Sequence, residues 1–360
     1  MTADRPIPYG IYGTESWRAA SSTAAERRPP LAVDRNTGLE LHAVSGLGGV
    51  RILVPPGTGR SMGLFAGSRP SAATFLAEVC RAGTELEADV ISLPGLWAAD
   101  AEAALDAMND SVSGWSARLE DDGVASVQAV GTGIDEMMGL VPKKERKPLR
   151  RRLRRLEEFD GVEIRTIRDE PELLEAFAVF VDLHNREWRL RGRQGHYVDW
   201  PEAEVLHRSM LGHAAPDCTG MISGVFLHGE PVALQLGFVS GSLASAVNIA
   251  RNPSIREIDQ LSPATVAFIV FAAAAAELGA ERVELGRGSY EYKRKLGATE
   301  EPLKRILLVR SGMPSSLRFG LARTLSAAFQ RLYYRLWFSR ICPRLGVQPG
   351  PLWWPWRMRI

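Results

Sequence analysis

The densest collection of reactive side chains lies at 281–297, Glu-Arg-Val-Glu-Leu-Gly-Arg-Gly-Ser-Tyr-Glu-Tyr-Lys-Arg-Lys-Leu-Gly. Its pattern predicts a short strand over 282–285, the turn Gly286-Arg287-Gly288, and a short helix carrying Tyr290, Tyr292 and Lys293. The two glycines permit positive φ and let a ligand come close to the backbone. One strand end would thus gather two phenols, the carboxylate of Glu291 and the ammonium of Lys293. Acyl transfer needs such a set: a proton relay, and a positive group beside developing oxyanion charge. Tyr290 and Lys293 stand three residues apart and share a helical face, whereas the adjacent Tyr292 and Lys293 point apart. The same residues also fit a solvated helix start after an ordinary turn, because short motifs carry little weight alone.

Other candidates sit on the elements around this segment. A helix over 171–191 places Leu173, Phe177, Val181, His184 and Trp188 on one stripe. His184 has the ordinary pKa range of a general base, and its apolar stripe equally suits a hydrogen-bonded core histidine. Trp188, on the same face, is a candidate substrate contact. Asp199 and Glu257 are alternative bases. Arg251 and Asn252, just after a strand, are placed either to contact an acceptor or to form an exposed turn. A helix opens with Ser262 as N-cap and Pro263 in its first turn. Its all-round apolarity to Ala276 predicts burial between layers. No Ser-His-Asp order, P-loop or dinucleotide fingerprint is present. Without an activated nucleophile, direct attack in a ternary complex fits better than a covalent enzyme.

Several motifs then occur in a fixed order. They are Lys143-x-x-Arg146, Leu183-His184-x-x-x-Trp188 followed by Gly192 and Gly195, and His228-Gly-Glu-Pro-Val-Ala233. Ser262-Pro263, Leu278-Gly-Ala280 and Gly286-Arg-Gly-x-x-x-Tyr292-Lys293 complete the series. Together, over about residues 88–310, they resemble the acetyltransferase-like domain of bacterial envelope and exopolysaccharide proteins. That group includes the cellulose-biosynthesis acetyltransferase relatives within the GNAT superfamily. Fem-type peptidoglycan aminoacyltransferases are similar and carry an aromatic–Lys pair at the matching place. The resemblance implies an α/β fold with two GNAT-like lobes, each a mixed, mostly antiparallel sheet flanked by helices. It implies no bound cofactor or metal, and acyl-CoA as co-substrate. The donor's pyrophosphate would rest where the central helix begins, at Gln260, Ser262 and Ala264, facing Gly286, Arg287 and Gly288. Lys293 would stabilise the oxyanion or leaving group, with Tyr290 or Tyr292 as proton donor. The segment Asp259–Ala264 has one acidic residue, no glycine, and a proline without an N–H.

Bulk properties set the surrounding limits. The 360 residues allow about two domains, and 45% hydrophobic with 24% charged residues is ordinary for a globular chain. Three distant cysteines, with no Cys/His cluster at metal spacing, argue for a reducing compartment and against structural zinc. The N-terminus shows no apolar signal core, and the uncharged run 264–276 is shorter than the roughly 20 residues of a span. The expected organisation is a loose segment at 1–30 and a degenerate GNAT-like lobe at 31–142. A catalytic GNAT-like domain at 143–312 and an Arg/Trp-rich amphipathic tail at 313–360 follow. In the first lobe, strands are expected at 49–55 and 88–93, helices at 71–82 and 100–108, and a hairpin around Asp121-Asp122-Gly123. Strands at 162–167, 220–227, 231–239, 242–249 and 305–309, with a helix at 200–212, complete the second.

Two basic segments suggest partners. The helix beginning at Lys143 puts Leu149, Leu153 and Leu156 on one side and arginines on the others. It suits phosphate gripping, on tRNA, a nucleotide-linked sugar or an anionic lipid, or simply a solvated linker helix. Arginine without interleaved aromatics excludes sequence-specific nucleic-acid reading. From 311 to 360 there are eight arginines and no Asp or Glu. Leu317, Leu321, Leu325, Phe329, Leu332 and Leu336 recur at helical spacing there, with Trp353, Trp354 and Trp356 beyond. That pattern suits an anionic membrane surface or packing onto the chain's own domain. The expectation is a cytoplasmic protein, peripheral on the inner membrane face, that acylates an amine or hydroxyl of a saccharide or peptidoglycan-type precursor. Transfer from aminoacyl-tRNA, or a non-catalytic scaffold for polysaccharide synthesis, are the alternatives.

Overall fold

The computed structural model describes residues 14–24, 32–34, 39–45, 49–55, 72–107, 114–200, 202–212, 217–347 and 350. In chain order the elements are α1 (Glu15–Ala24), β1 (Ala32–Asp34), β2 (Leu39–Ser45), β3 (Arg51–Val54), α2 (Ala72–Glu85), β4 (Val90–Trp97) and α3 (Ala98–Ala107). Next come β5 (Trp115–Ala129), α4 (Ile134–Leu140), α5 (Lys143–Glu157), β6 (Val162–Ile167), α6 (Glu170–Leu190), α7 (His196–Asp199) and α8 (Glu202–Leu211). Then follow β7 (Thr219–Leu227), β8 (Glu230–Ser240), β9 (Leu243–Arg251), α9 (Pro263–Glu277), β10 (Arg282–Arg287), α10 (Glu291–Leu296) and β11 (Thr299–Arg310). The chain continues with α11 (Met313–Leu332), a π-helical stretch at Tyr333–Ile341 and α12 (Cys342–Leu345).

Two compact units result. One comprises residues 1–20 and 124–301, the other 21–123 and 302–360. The division expected at 142/143 therefore falls elsewhere, inside the long strands β5 and β11. The Val141-Pro142 signal marks only the start of α5. Residues 302–312, expected with the C-terminal domain, belong with the earlier lobe, as does the tail.

In the first unit the strand order is β5-β10-β9-β8-β7-β6, antiparallel except for the β10/β9 pair. Helix α9 covers one face. Its Val266, Ile269 and Phe271 join Leu149, Leu153 and Leu156 of α5 and Met137 and Met138 of α4 in one core. The expected burial of α9 and of the α5 leucine stripe is therefore observed. The other face carries α6, where Phe177 and Phe180 pack around Tyr197 of α7 and His207 of α8. The helix expected at 200–212 is observed as α8, with the short α7 just before it.

In the second unit the order is β1-β2-β3-β4-β11-β5, with β3/β4 parallel and β1/β2, β2/β3 and β4/β11 antiparallel. Period-two alternation divides its core. Ile306 and Leu308 face α2 and α3, while Leu307 and Val309 pack with Phe319 and Ala322 of α11. The hairpin expected at Asp121-Asp122-Gly123 does not form, and β5 runs straight through. Lys304 pairs with Asp121 at 2.7 Å and Arg305 with Asp122 at 3.0 Å. The Gly95 N–H donates to Asp122 at 2.7 Å, and Gly123 takes φ +89°. Cross-strand cations thus neutralise the turn-forming carboxylates, and the glycine absorbs the distortion without reversing the chain.

Three smaller departures concern local signals. Residues 15–24, expected to be loose, form α1 with Trp17 and Ala20 buried. Ser262 occupies the N-cap position of α9 but with φ +57° and no side-chain capping bond. Its carbonyl instead accepts from the Thr265 and Val266 N–H groups. Ser71, Met108 and Trp353, Trp354 and Trp356 lie outside the described residues. No helix of the described residues is long and apolar enough to cross a membrane.

Candidate functional site

The parallel β9/β10 pair organises the site. Its ladder is three residue pairs long, Leu243↔Arg282, Ala244↔Val283 and Ser245↔Glu284. Beyond Ser245, β9 continues only with β8, across a bulge that skips Val247. Past Glu284, β10 keeps only its β5 neighbour, with Arg287 opposite Ala125 after a register shift. The strands part, and β9 is left with an edge that no strand covers among the described residues. Edges of this kind are templates for extended ligands, because their N–H and C=O groups need partners. Because the two strands are parallel, Arg251 and the Gly286–Gly288 turn lie at the same end of the sheet, where α/β ligands commonly bind.

At the fork, the Ser245 hydroxyl is fully buried and makes no hydrogen bond among the described residues. Gly237 of β8 is required there: a Cβ would sit 2.2 Å from Phe271 Cζ and 2.5 Å from the Ser245 carbonyl oxygen.

The Gly286–Gly288 turn forms one lip. Gly286 and Gly288 adopt φ +75° and +90°, which aims three successive carbonyls inward. Lys293 is 2% exposed, and its Nζ donates to the carbonyls of Gly286, Arg287 and Gly288 at 2.8, 3.0 and 3.1 Å. An ammonium has three N–H donors, and the turn takes all of them. Burial pushes the Lys293 pKa down to about 8, while Glu284 and Glu300 act in the opposite direction. Its committed protons leave no donor for an oxyanion, so the expected transition-state role is replaced by one of holding the turn. Tyr290 is the N-cap of α10 rather than a helical residue. Its ring lies 5.0 Å from Lys293 Nζ and against Gly288, where a Cβ would meet it at 2.8 Å. Tyr290 and Tyr292 are both more than half exposed and their rings stack 6.0 Å apart. Glu291 pairs with Lys295, 2.9 Å away.

Helix α6 supplies the other lip. His184 is buried, with Nδ1 2.9 Å from the Ile249 carbonyl and Nε2 accepting from the His196 N–H at 3.2 Å. With Nδ1 carrying the proton and Nε2 occupied, the ring has no lone pair to offer as a base. The general-base expectation is corrected to a structural one. Glu187, which the sequence reading passed over, is 8% exposed and accepts from the Arg251 N–H (3.2 Å) and guanidinium (2.6 Å). It also binds Arg191 at 2.7 Å. The Ile249 carbonyl and Arg251 N–H are two residues apart, hence on the same edge of the strand. His184 and Glu187 therefore satisfy the far end of β9 where a neighbouring strand would otherwise do so. Helical spacing from His184 was the signal that could have found Glu187. Trp188 lies 6.0 Å from His184 and beneath Arg191, whose guanidinium is 5.6 Å from its ring. Arg251 and Trp188 thus come together, but Asn252 does not join them. Its Oδ1 accepts from the Ser254 N–H at 3.0 Å in a local turn.

The start of α9 offers few donors. Pro263 has no N–H and Thr265 donates back to Ser262 at 2.9 Å, which leaves the Ala264 N–H. Gln260 is exposed, and Ser262 and Ala264 half-buried. Asp199 is buried and Glu257 exposed. Deeper in the core, Tyr197 Oη meets His207 Nδ1 at 3.2 Å, and burial lowers the His207 pKa to about 3. Burial also raises the thiols of Cys80 and Cys218 to about 12, far from the thiolate a nucleophile needs.

Comparison with known proteins fits this architecture. Residues 143–294 match the family described as acetyltransferase (GNAT) domain. No curated protein matches the sequence. The crystal structure of FemX is similar with a TM-score of 0.56 at 12% identity, covering 82% of this chain and 91% of that one. The C-terminal domain of a putative lysylphosphatidylglycerol synthetase from Agrobacterium fabrum gives 0.53 at 13% identity, covering 86% and 90%. A conserved protein of unknown function from Bacteroides thetaiotaomicron gives 0.52 at 12%, covering 84% and 100%. Residues 143–294 therefore match a GNAT acetyltransferase domain, within a chain that shares the fold of FemX.

Proposed function

We propose that this protein is an acyltransferase that moves an acyl group onto an amine or hydroxyl of an envelope or exopolysaccharide precursor by direct attack in a ternary complex. The observation that carries this reading is the parting of β9 from β10 after three paired residues. The acyl donor lies along the uncovered edge of β9, whose N–H groups stabilise the oxyanion. The acceptor's lone pair attacks the acyl carbonyl, and the bond to the carrier breaks. The carrier's departing atom takes a proton from Tyr290 or Tyr292, the acceptor's proton passes to solvent, and solvent returns a proton to the phenolate. Lys293 fixes the turn that presents the phenols. Arg251 and Arg191, held on Glu187, give the site a net positive lip for an anionic part of donor or acceptor, beside Trp188. We assign the reaction to the inner face of the membrane.

The first donor to test is acetyl-CoA. Saturable binding, and acceptor-dependent release of free thiol, are the expected results. Absence of both removes the acyl-CoA form of the reading.

One observation favours a second donor, aminoacyl-tRNA. Helix α5 exposes Lys144, Lys147, Arg150, Arg151, Arg154 and Arg155, while the α9 start is poor in anion donors. The names of two structural relatives, FemX and a putative lysylphosphatidylglycerol synthetase, suit this donor class too. Strongly salt-dependent tRNA binding, lost when these α5 cations are neutralised, would select it. Transfer with neither donor, but loss of cellular product on deleting the chain, would leave a scaffold.

A further inference from the structure

Helix α11 and the π-helical stretch after it carry an exposed apolar stripe. Phe319 and Ala322 are buried against β3, β4 and β11, so one side of α11 is anchored. Elsewhere on the helix, Leu317 is 66% exposed, Leu321 52% and Leu332 55%. Leu325, Phe329 and Leu336 are exposed as well, and the spacing of four, four, four, three and four residues makes one continuous stripe. The nine residues Tyr333–Ile341 are π-helical and none is buried. Leu345 extends the apolar surface to a length of about 40 Å, at roughly 1.5 Å of rise per residue. A patch of this kind marks a docking site rather than ordinary surface.

Charge chooses the occupant. Residues 311–360 contain eight arginines and no acidic residue. Arg318 and Arg323 are held by Asp89 and Glu120, whereas Arg331, Arg335, Arg340 and Arg344 are exposed and join no ion pair among the described residues. Two copies meeting through this face would set arginine against arginine. An anionic lipid surface instead accepts the leucines among its acyl chains and the guanidinium groups at its phosphates. The sequence continues in the same manner, with Trp353, Trp354, Trp356, Arg357 and Arg359, residue types that favour the interfacial layer.

We propose that α11 and Tyr333–Ile341 form an interfacial docking surface for a bilayer rich in anionic phospholipid, lying in the headgroup layer without crossing it. This deepens the proposed function by naming the surface that would bring the protein to the membrane, and it rests on that reading only for the location.

The test is flotation of the full chain with vesicles of equimolar phosphatidylglycerol and phosphatidylcholine, against phosphatidylcholine alone. The wild type should bind the anionic vesicles and release in high salt. Leu321→Glu with Leu332→Glu should weaken binding by about tenfold or more without changing the melting temperature. A fluorophore at Leu336→Cys, in an otherwise unchanged chain, should blue-shift on anionic vesicles, which covers the case of a double variant that folds poorly. Equal vesicle binding by wild type and double variant, no binding by the wild type, or a self-dimer abolished by the double variant would each overturn the proposal. Acyl transfer to a soluble acceptor should be unchanged in the double variant. Lost vesicle binding with intact transfer concerns this surface alone, whereas lost transfer with intact vesicle binding concerns the catalytic reading.

Discussion

Replacing Lys293 by Met separates a lysine that holds a turn from one that acts on substrate. Methionine fills similar space but offers no N–H, so the carbonyls of Gly286, Arg287 and Gly288 lose donors at 2.8, 3.0 and 3.1 Å. A hydrogen bond from a charged donor nets about 1.5–3 kcal/mol. Against three of them stands the desolvation of a buried ammonium, several kcal/mol that the variant escapes. The expected net destabilisation is about 2–4 kcal/mol, read by equilibrium urea unfolding with an unchanged m-value. The pH dependence is a second signature. With its folded pKa near 8 against an ordinary 10.5, Lys293 has released its proton in the folded state between those values while the unfolded chain still holds it. Stability therefore rises with pH across that window and has no slope from this group below it. The wild-type advantage over Lys293→Met should accordingly grow from about pH 8 towards 10.5. A variant within about 0.5 kcal/mol of wild type, whose transfer rate nevertheless falls more than about a hundredfold, would refute the turn-holding role and return Lys293 to chemistry.

Other substitutions probe the two lips. Tyr290→Phe and Tyr292→Phe, compared by kcat, should divide sharply: the phenol that protonates the leaving group costs about 10²–10⁴-fold and the other little. Both should melt like wild type because both rings are more than half exposed, and equal, small effects would exclude either as the donor. Glu187→Gln should lower stability by about 1–3 kcal/mol in denaturant titrations and raise KM more than it lowers kcat, since it loosens Arg251 without touching the reacting atoms. A kcat loss at constant KM would argue otherwise. Gly237→Ala should destabilise by about 1–3 kcal/mol, because its methyl would meet Phe271 at 2.2 Å. A thermally neutral variant would show that the fork is looser than described.

Much of the architecture was legible because it rests on periodicity. The α5 leucines, the α9 apolarity and the β7–β9 meander followed by α9 and β10 each follow from side-chain spacing, and each is observed. What failed was local chemistry overruled by distant residues. Asp121-Asp122-Gly123 has the composition of a turn, yet Lys304 and Arg305, some 183 residues away in sequence, hold it in mid-strand. The 142/143 boundary failed similarly, because a sequence break and a spatial break need not coincide when long strands belong to both units. Within the site, the sequence singled out residues without revealing what their polar atoms contact. Lys293, His184 and Arg251 all lie at the lips of the fork. Only their partners, three carbonyls, two backbone groups and Glu187 respectively, show that their polar atoms hold the framework in shape. The fork itself had no sequence signature, since the absence of pairing beyond Ser245 is a property of two strands and not of either one.

The central claim is that the donor occupies the uncovered edge of β9, and amide hydrogen exchange tests it most directly. On addition of acetyl-CoA or aminoacyl-tRNA, saturable protection should appear in Ala246–Ile249 and in the Gly286–Gly288 turn, and should track the concentration that supports transfer. Transfer with either donor while these amides exchange as in the free protein would contradict the account.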